Sequence, residues 1–339
     1  MKTVMTIRRH WSVSLSLLLM VMPVAAAGDD SLERNGKREA RVHDPSTIVK
    51  CGQEYWFFAT GPGVTSWRSK DLVSWERGPR VFPTPPQWIT NIVSDHRGYF
   101  WAPDVIHHRG RYWVYYSVSK FGRNTSAIAL ASTPTLDPAD PKHLWTDHGI
   151  VVESRKEDNF NAIDPAVTRT PEGALWLSFG SFWSGIKLIQ LDLMTGRRIA
   201  TNSPMRTLAH TKAIEAPFIF PRSDYYYLFV NWDVCCRGTN STYNIRIGRS
   251  RQISGPYLDK DGQDLAQGGG TLLLGTDGAF IGPGHAGIFE EDGKFWFSCH
   301  FYDATQRGAS MLAIRSLRWD ASGWPALDSA AAKQDHQSP

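Results

Sequence analysis

The sequence predicts an all-β protein, a five-bladed β-propeller in a single domain, from three observations. A proline-anchored segment recurs five times, each copy is followed by a turn and an aromatic strand, and no long amphipathic helical stretch interrupts the series. The anchors are VHDPSTIV at 42–49, WAPDVIHH at 101–108, AIDPAVTR at 162–169, EAPFIFPR at 215–222 and GPGHAGIF at 282–289. Their prolines, Pro45, Pro103, Pro165, Pro217 and Pro283, stand 58, 62, 52 and 66 residues apart.

The elements of each unit follow in order. After the anchor comes a Gly- or polar-rich turn, such as Arg109-Gly110-Arg111 or Glu291-Asp292-Gly293. Then comes a second strand: YWFFAT at 55–60, RYWVYYSV at 111–118, LWLSFGS at 175–181, YYYLFV at 225–230 and FWFSCHF at 295–301. A polar turn between aromatic runs is a hairpin signal. Third strands are expected at 65–69, 126–132, 185–192, 243–250 and 310–316, several alternating apolar and polar residues as half-buried strands do. A shorter fourth strand follows in places, as at Ser74-Trp75-Glu76. One such sheet cannot bury both faces, so five of them pack in a ring whose first and last units meet. A β-helix would repeat at a much shorter period.

The ends read differently. Lys2, Arg8 and Arg9 precede an apolar run to about Val24 and then Ala25-Ala26-Ala27, the three-part pattern of a secretory signal peptide. The expected organisation is a signal peptide at 1–27, a leader at 28–40, the propeller at 41–324 and a polar tail at 325–339. Cleavage removes three basic residues from a formal net charge of +4 and leaves about +1. No Lys/Arg cluster marks a nucleic-acid surface, and the apolar run is short for a membrane span. A secreted monomer, extracellular or periplasmic, is expected. The 14 Trp and 11 Tyr suit either a β-rich core or a sugar-binding surface. Of the four cysteines, adjacent Cys235 and Cys236 form a vicinal disulfide or remain thiols, and Cys51 and Cys299, from units that meet in the ring, are a candidate bridge.

In a propeller the first strand of each blade lines the central channel, and Pro is tolerated on a strand with one free edge. The anchors therefore carry Asp44, Asp164 and Glu215 to one channel mouth, together with His285. Glycosidic hydrolysis uses one carboxylic acid to protonate the leaving oxygen and a carboxylate to activate water or attack the sugar. A third acid nearby holds a proton donor's pKa up. Each acid alone is as readily a turn residue, since Asp before Pro often is; three on one funnel point to chemistry. Asp104 falls after its proline rather than before it and reads as structural.

These motifs, with FWAPDV at 100–105, GSFWSGI at 180–186 and CCRGTNSTYNIRIGRS at 235–250, resemble glycoside hydrolase family 43, and within it the endo-1,5-α-L-arabinanases, over about residues 41–319. The resemblance implies that Asp44 is the general base, Glu215 the general acid and Asp164 the residue that tunes and orients the acid. It implies inversion, with base and acid about 6.5–9.5 Å apart. It implies that His285 helps hold a largely hydrated calcium ion, although hard cations prefer oxygen. Trp101 and Phe121 match positions that stack on arabinose rings, and Asn161 and Ser181 are candidates for hydrogen bonds to the sugar. The implied substrate is arabinan, the polysaccharide of plant cell-wall pectin. Two other readings stand beside this one: another five-bladed glycosidase, such as an arabinofuranosidase or xylosidase, and a non-catalytic sugar-binding propeller, which would need the aromatics but not three acids. His43 and Arg246 are polar candidates without a role.

Overall fold

A computed structural model describes residues 31–34 and 37–328; the signal-peptide reading of 1–27 lies outside them, as does the tail beyond 328. Five antiparallel sheets, each in chain order, form the blades of a β-propeller. Blade one comprises Val49–Cys51, Glu54–Ala59, Thr65–Ser69 and Glu76–Arg77. Blade two comprises Tyr99–His108, Arg111–Val118, Ser126–Thr133 and Thr146–Ser154, with Gly61–Pro62 paired to its inner edge. Blade three comprises Ala166–Arg169, Leu175–Phe179, Ile186–Leu191 and Arg206–Ala209. Blade four comprises Ile214–Arg222, Tyr225–Trp232, Asn244–Ser250 and Thr271–Leu274, and blade five Phe280–Glu291, Lys294–Asp303, Ala309–Trp319 and Pro325–Leu327. The one α-helix among the described residues is a single turn, Ile89–Ile92, and none of them forms a helix long and apolar enough to cross a membrane.

The second strands are aromatic because both faces are buried, each against a different neighbour. In blade one, Trp56 and Phe58 enter the cluster shared with blade two, while Phe57 and Ala59 enter the cluster shared with blade five. In blade four, Leu228 and Val230 face blade three, and Tyr227 and Phe229 face blade five. Five hydrophobic clusters result, one at each junction between blades. The third strand of blade two departs from the half-buried expectation for the same reason: every residue of Ser126–Thr133 is buried, so its small polar residues are packed between blades rather than facing water.

The ring closes through the start of the chain. Arg41 bridges Met311, and the Val42 N–H donates to the Ser310 carbonyl at 3.1 Å, next to Ala40 and Val42 in the junction of blades five and one. Pro325–Leu327 is the fourth strand of blade five, so the propeller reaches past 324 into the expected tail. Lys37–Ala40 is a strand paired with Ser31–Arg34 in a separate two-stranded sheet. Trp75, expected in a fourth strand, is instead a buried core residue, and that strand is Glu76–Arg77.

Cys235 and Cys236 form the vicinal disulfide, but Cys51 and Cys299 are both free. Although blades one and five are neighbours, Cys51 faces blade two and Cys299 faces blade four, so the two thiols point away from the shared junction.

Candidate active site

Strand register defines the equivalent positions. Trp101 opposes Ser117, Glu215 opposes Asn231 and Gly284 opposes His300; the Thr60 N–H donates to the His43 carbonyl and the Gly180 N–H to that of Ile163. Thus His43, Trp101, Ile163, Glu215 and Gly284 form one tier of the inner strands. The next tier is Asp44, Ala102, Asp164, Ala216 and His285, and all five are left-handed, with φ of 52°, 40°, 57°, 53° and 58°. A non-glycine residue in that region costs on the order of 1–3 kcal/mol, and five at one ring mark a functional mouth. One correction to the sequence alignment follows: Ala286, not Pro283, stands at the proline position of blade five. Glu215, two residues before its proline, lies one residue before the position of Asp44 and Asp164.

The left-handed turns are held from the preceding blade. The Ala102, Asp164 and His285 N–H groups donate to Thr60 Oγ1 (2.8 Å), Ser117 Oγ (3.1 Å) and Asn231 Oδ1 (3.0 Å), and the Asp44 N–H donates to His300 Nδ1 (3.1 Å). Blade three has Gly180 at that place, without a side chain, and there the Ala216 N–H donates to Asp164 Oδ2 at 3.1 Å. Asp164 is thereby tied to the backbone adjacent to Glu215.

The three acids sit in contrasting surroundings. Asp44 Oδ1 lies 2.7 Å from His43 Nδ1 and 2.9 Å from His285 Nδ1, and Thr60 Oγ1 donates to Oδ2 at 2.6 Å. The His285 approach is off the direction a hydrogen bond requires, so that contact is an ion pair. Burial alone would raise Asp44, but the His43 and His285 rings outweigh it and hold the carboxyl well below its ordinary range. Glu215 accepts one hydrogen bond, from the Tyr243 hydroxyl at 2.8 Å. Burial pushes Glu215 up despite Tyr243 and His285, and burial pushes Asp164 up to about 8, with Glu215 and Asp44 adding repulsion against the pull of His285. Burial would lower His285, but Asp44 foremost raises it to about 9.

The implied calcium can be tested against these residues. Two groups of three side chains lie close enough to share an ion among the described residues: His43 with the two disulfide cysteines, and His43 with Asp44 and His300. Neither includes His285, so a cation there would take one imidazole and otherwise water. The carboxylates that raise His285 favour positive charge at that spot. The donor set therefore fits a mostly hydrated cation and not a protein-caged one.

The model of the glycosyl hydrolases family 43 matches residues 37–325. The chain belongs to glycoside hydrolase family 43. It is 42% identical over 337 residues to an extracellular exo-α-(1→5)-L-arabinofuranosidase of Cellvibrio japonicus, covering 95% of this chain and 94% of that protein. It is also 42% identical over 297 residues to an extracellular endo-α-(1→5)-L-arabinanase of Bacillus subtilis, covering 86% and 88%. An α-L-arabinanase of Cellvibrio cellulosa, solved with arabinohexaose, shares the fold at a TM-score of 0.83 and 42% identity, over 86% of this chain and 96% of that one.

In this family 43 enzyme the remaining expected residues divide. Trp101 shares the tier of His43 and Glu215 and is partly exposed, and Phe121 is 83% exposed on the loop after the second strand of blade two. Asn161 and Ser181 are buried: the Asn161 amide donates to Ser181 Oγ at 3.0 Å and accepts from Ser126 Oγ at 2.7 Å. The Ser181 hydroxyl proton is free of these two bonds. Asp104 is structural, its carboxylate accepting the Thr47 N–H of blade one and the Val167 N–H of blade three. Arg246 stacks on Trp232 at 4.1 Å and donates to Gly270, away from the acids.

Several residues at the mouth went unread in the sequence. Thr60, Tyr243 and His300 contact the acids as described, and the Tyr302 hydroxyl lies 2.7 Å from His43 Nε2. Phe182 and Trp183 are consecutive aromatics with φ of 44° and 33°, both exposed, on a turn whose Phe182 N–H donates to Ile214, the neighbour of Glu215. Bulky residues adopt that conformation rarely, so the turn is a strained aromatic rim beside Glu215.

Proposed function

We propose that this family 43 enzyme hydrolyses the α-1,5-L-arabinofuranosidic bonds of arabinan, as a secreted endo-1,5-α-L-arabinanase acting with inversion. The observation that carries this reading is the opposite setting of two carboxyls in one mouth. Asp44 is kept ionised by His43 and His285, while burial keeps a proton on the Glu215–Asp164 pair. Environments that push carboxyl pKa values apart assign the roles of acid and base. Asp44 accepts a proton from water as the water attacks the anomeric carbon. Glu215 gives its proton to the departing glycosidic oxygen. Asp164, bound to the Ala216 N–H and repelling charge on Glu215, orients the acid and keeps it protonated. Trp101 and Phe121 offer faces for arabinose rings, and Ser181, braced by Asn161, a hydroxyl proton. A calcium ion held by His285 and otherwise by water would supply positive charge facing the three carboxylates.

Secretion is supported by the N-terminal pattern and by relatives named extracellular. A non-catalytic sugar-binding propeller would have no use for the split pair. One observation favours a second reading, exo action: the relative named exo is as similar as the one named endo. The test is time-resolved product analysis on linear arabinan with the wild type and Asp44→Asn. The proposal expects early products of mixed length from the wild type and a loss of about 10²–10⁴ in kcat for the variant. An Asp44→Asn enzyme of unchanged activity would refute it, and a single short product from the first time points would establish exo action.

A further inference from the structure

The Asp44 carboxylate is oriented by more than the His43 and His285 rings paired with it. His43 presents Nδ1 to Asp44 at 2.7 Å, and its other nitrogen, Nε2, lies 2.7 Å from the Tyr302 hydroxyl. Tyr302 is 4% exposed, and burial pushes its phenol up, so the hydroxyl keeps its proton. That hydroxyl also accepts the Cys236 N–H at 2.8 Å. Cys236 is left-handed, is bonded to Cys235, and sets its sulfur 3.8 Å from His43 Nε2. The His43 ring is further stacked on His300 at 4.1 Å, and His300 in turn receives the Asp44 N–H.

Hydrogen-bond counting gives this chain a direction. A phenol has one proton to donate and lone pairs to accept with. The Asp44 carboxylate can only accept, so His43 Nδ1, 2.7 Å from it, carries the proton; the Cys236 N–H takes one lone pair of Tyr302, and the phenolic proton meets the lone pair that a neutral His43 keeps at Nε2. An imidazole that accepts at Nε2 carries its proton on Nδ1, the nitrogen that faces Asp44. The hydroxyl thus braces, from behind, the His43 tautomer whose N–H faces Asp44. The relay also spans the ring closure: Cys236 comes from the loop of blade four, Tyr302 from blade five, and His43 from the segment that enters blade one.

We propose that Tyr302 is a positioning residue for the hydrolytic step. It anchors the His43 ring with its N–H toward Asp44 and so steadies the carboxylate, while the loop carrying the Cys235–Cys236 disulfide holds Tyr302 in register. This rests on the reading of Asp44 as the general base. Loss of the phenolic hydroxyl leaves substrate contacts intact and disturbs only the activation of water, so kcat falls and KM does not.

The test is Tyr302→Phe in the full-length enzyme, assayed on linear arabinan and on a 4-nitrophenyl arabino-oligosaccharide, whose leaving group departs without protonation. A misplaced base is expected to lower kcat by about ten- to a hundredfold, with KM within about twofold. The factor should be the same on both substrates, since both need activated water. Unchanged kcat, a rise in KM alone, or a loss confined to arabinan would overturn the proposal, the last because it would put the defect on the acid side. Cys235→Ala/Cys236→Ala leaves Tyr302 in place and guards against a Tyr302→Phe protein that does not fold. It is expected to show a smaller fall in kcat of the same pattern, and unchanged kcat there would overturn the disulfide's part. Asp44→Asn separates the two levels. An active Asp44→Asn removes the base reading and this proposal with it, whereas an inactive Asp44→Asn beside a fully active Tyr302→Phe overturns this proposal alone.

Discussion

Removing one oxygen from Tyr243 should move the pH dependence of the enzyme in a direction the geometry dictates. The Tyr243 hydroxyl donates to Glu215 Oε1 at 2.8 Å, and this hydrogen bond favours the ionised form. A hydrogen bond to a charged group is worth about 1.5–3 kcal/mol. One pKa unit corresponds to about 1.36 kcal/mol. Tyr243→Phe should therefore let Glu215 rise further, by about 1–2 units. The acid works protonated, so a higher pKa carries the basic limb of the kcat/KM profile to higher pH by the same amount. Because Glu215 and Asp164 titrate together, the shift is read as that of the pair. The ring itself stays: it packs so closely on Gly284 that a Cβ there would lie 2.2 Å from it, and phenylalanine fills the same volume. The assay is reducing-sugar release from linear arabinan across the pH range, with the acidic limb as internal control. A basic limb that stays in place, or moves to lower pH, would refute the assignment of Glu215 as the acid under Tyr243 control.

Other outcomes follow from the same geometry. Asp164→Asn keeps an oxygen for the Ala216 N–H but removes the charge that repels ionised Glu215, so the basic limb should move to lower pH; an unchanged limb would deny Asp164 its tuning role. Trp67, fully buried between blades five and one, should cost about 3–5 kcal/mol when replaced by Ala. Urea unfolding measures this, and a loss below about 1 kcal/mol would contradict its place in the ring closure. Exhaustive chelation should lower activity and calcium should restore it; full activity with no metal by elemental analysis would remove the cation from His285.

The fold was legible because its signals are local and repeated. Five anchors and five aromatic second strands recur at blade spacing, and the aromatic runs are long because each blade is covered on both sides. Asp44 and Asp164 were legible because both precede the anchor proline. The proline misled at blade five, where Pro283 lies three residues before the equivalent of Pro45 and the true counterpart is Ala286. A better anchor was present in a polar or small residue toward the end of each second strand: Thr60, Ser117, Gly180, Asn231 and His300. All but Gly180 hold the left-handed tier, and aligning on the five places His285 opposite Asp44 and sets Glu215 one step earlier. Tyr243 and Tyr302 were not legible, because a strand tyrosine that packs and one that donates to a catalytic partner read alike until the neighbouring blade is in place. The direction of Cys51 and Cys299 was hidden for a similar reason: sequence shows which blades meet, but not which face of a strand a side chain takes.

The most direct measurement is the configuration of the first-formed product. If Asp44 activates water on the face opposite the protonated oxygen, nuclear magnetic resonance of an early digest should show the β-anomer of the new reducing end, which converts to the equilibrium mixture only later. The α-anomer as first product would mean retention, making a carboxylate the nucleophile and contradicting the assignment of Asp44 as a base.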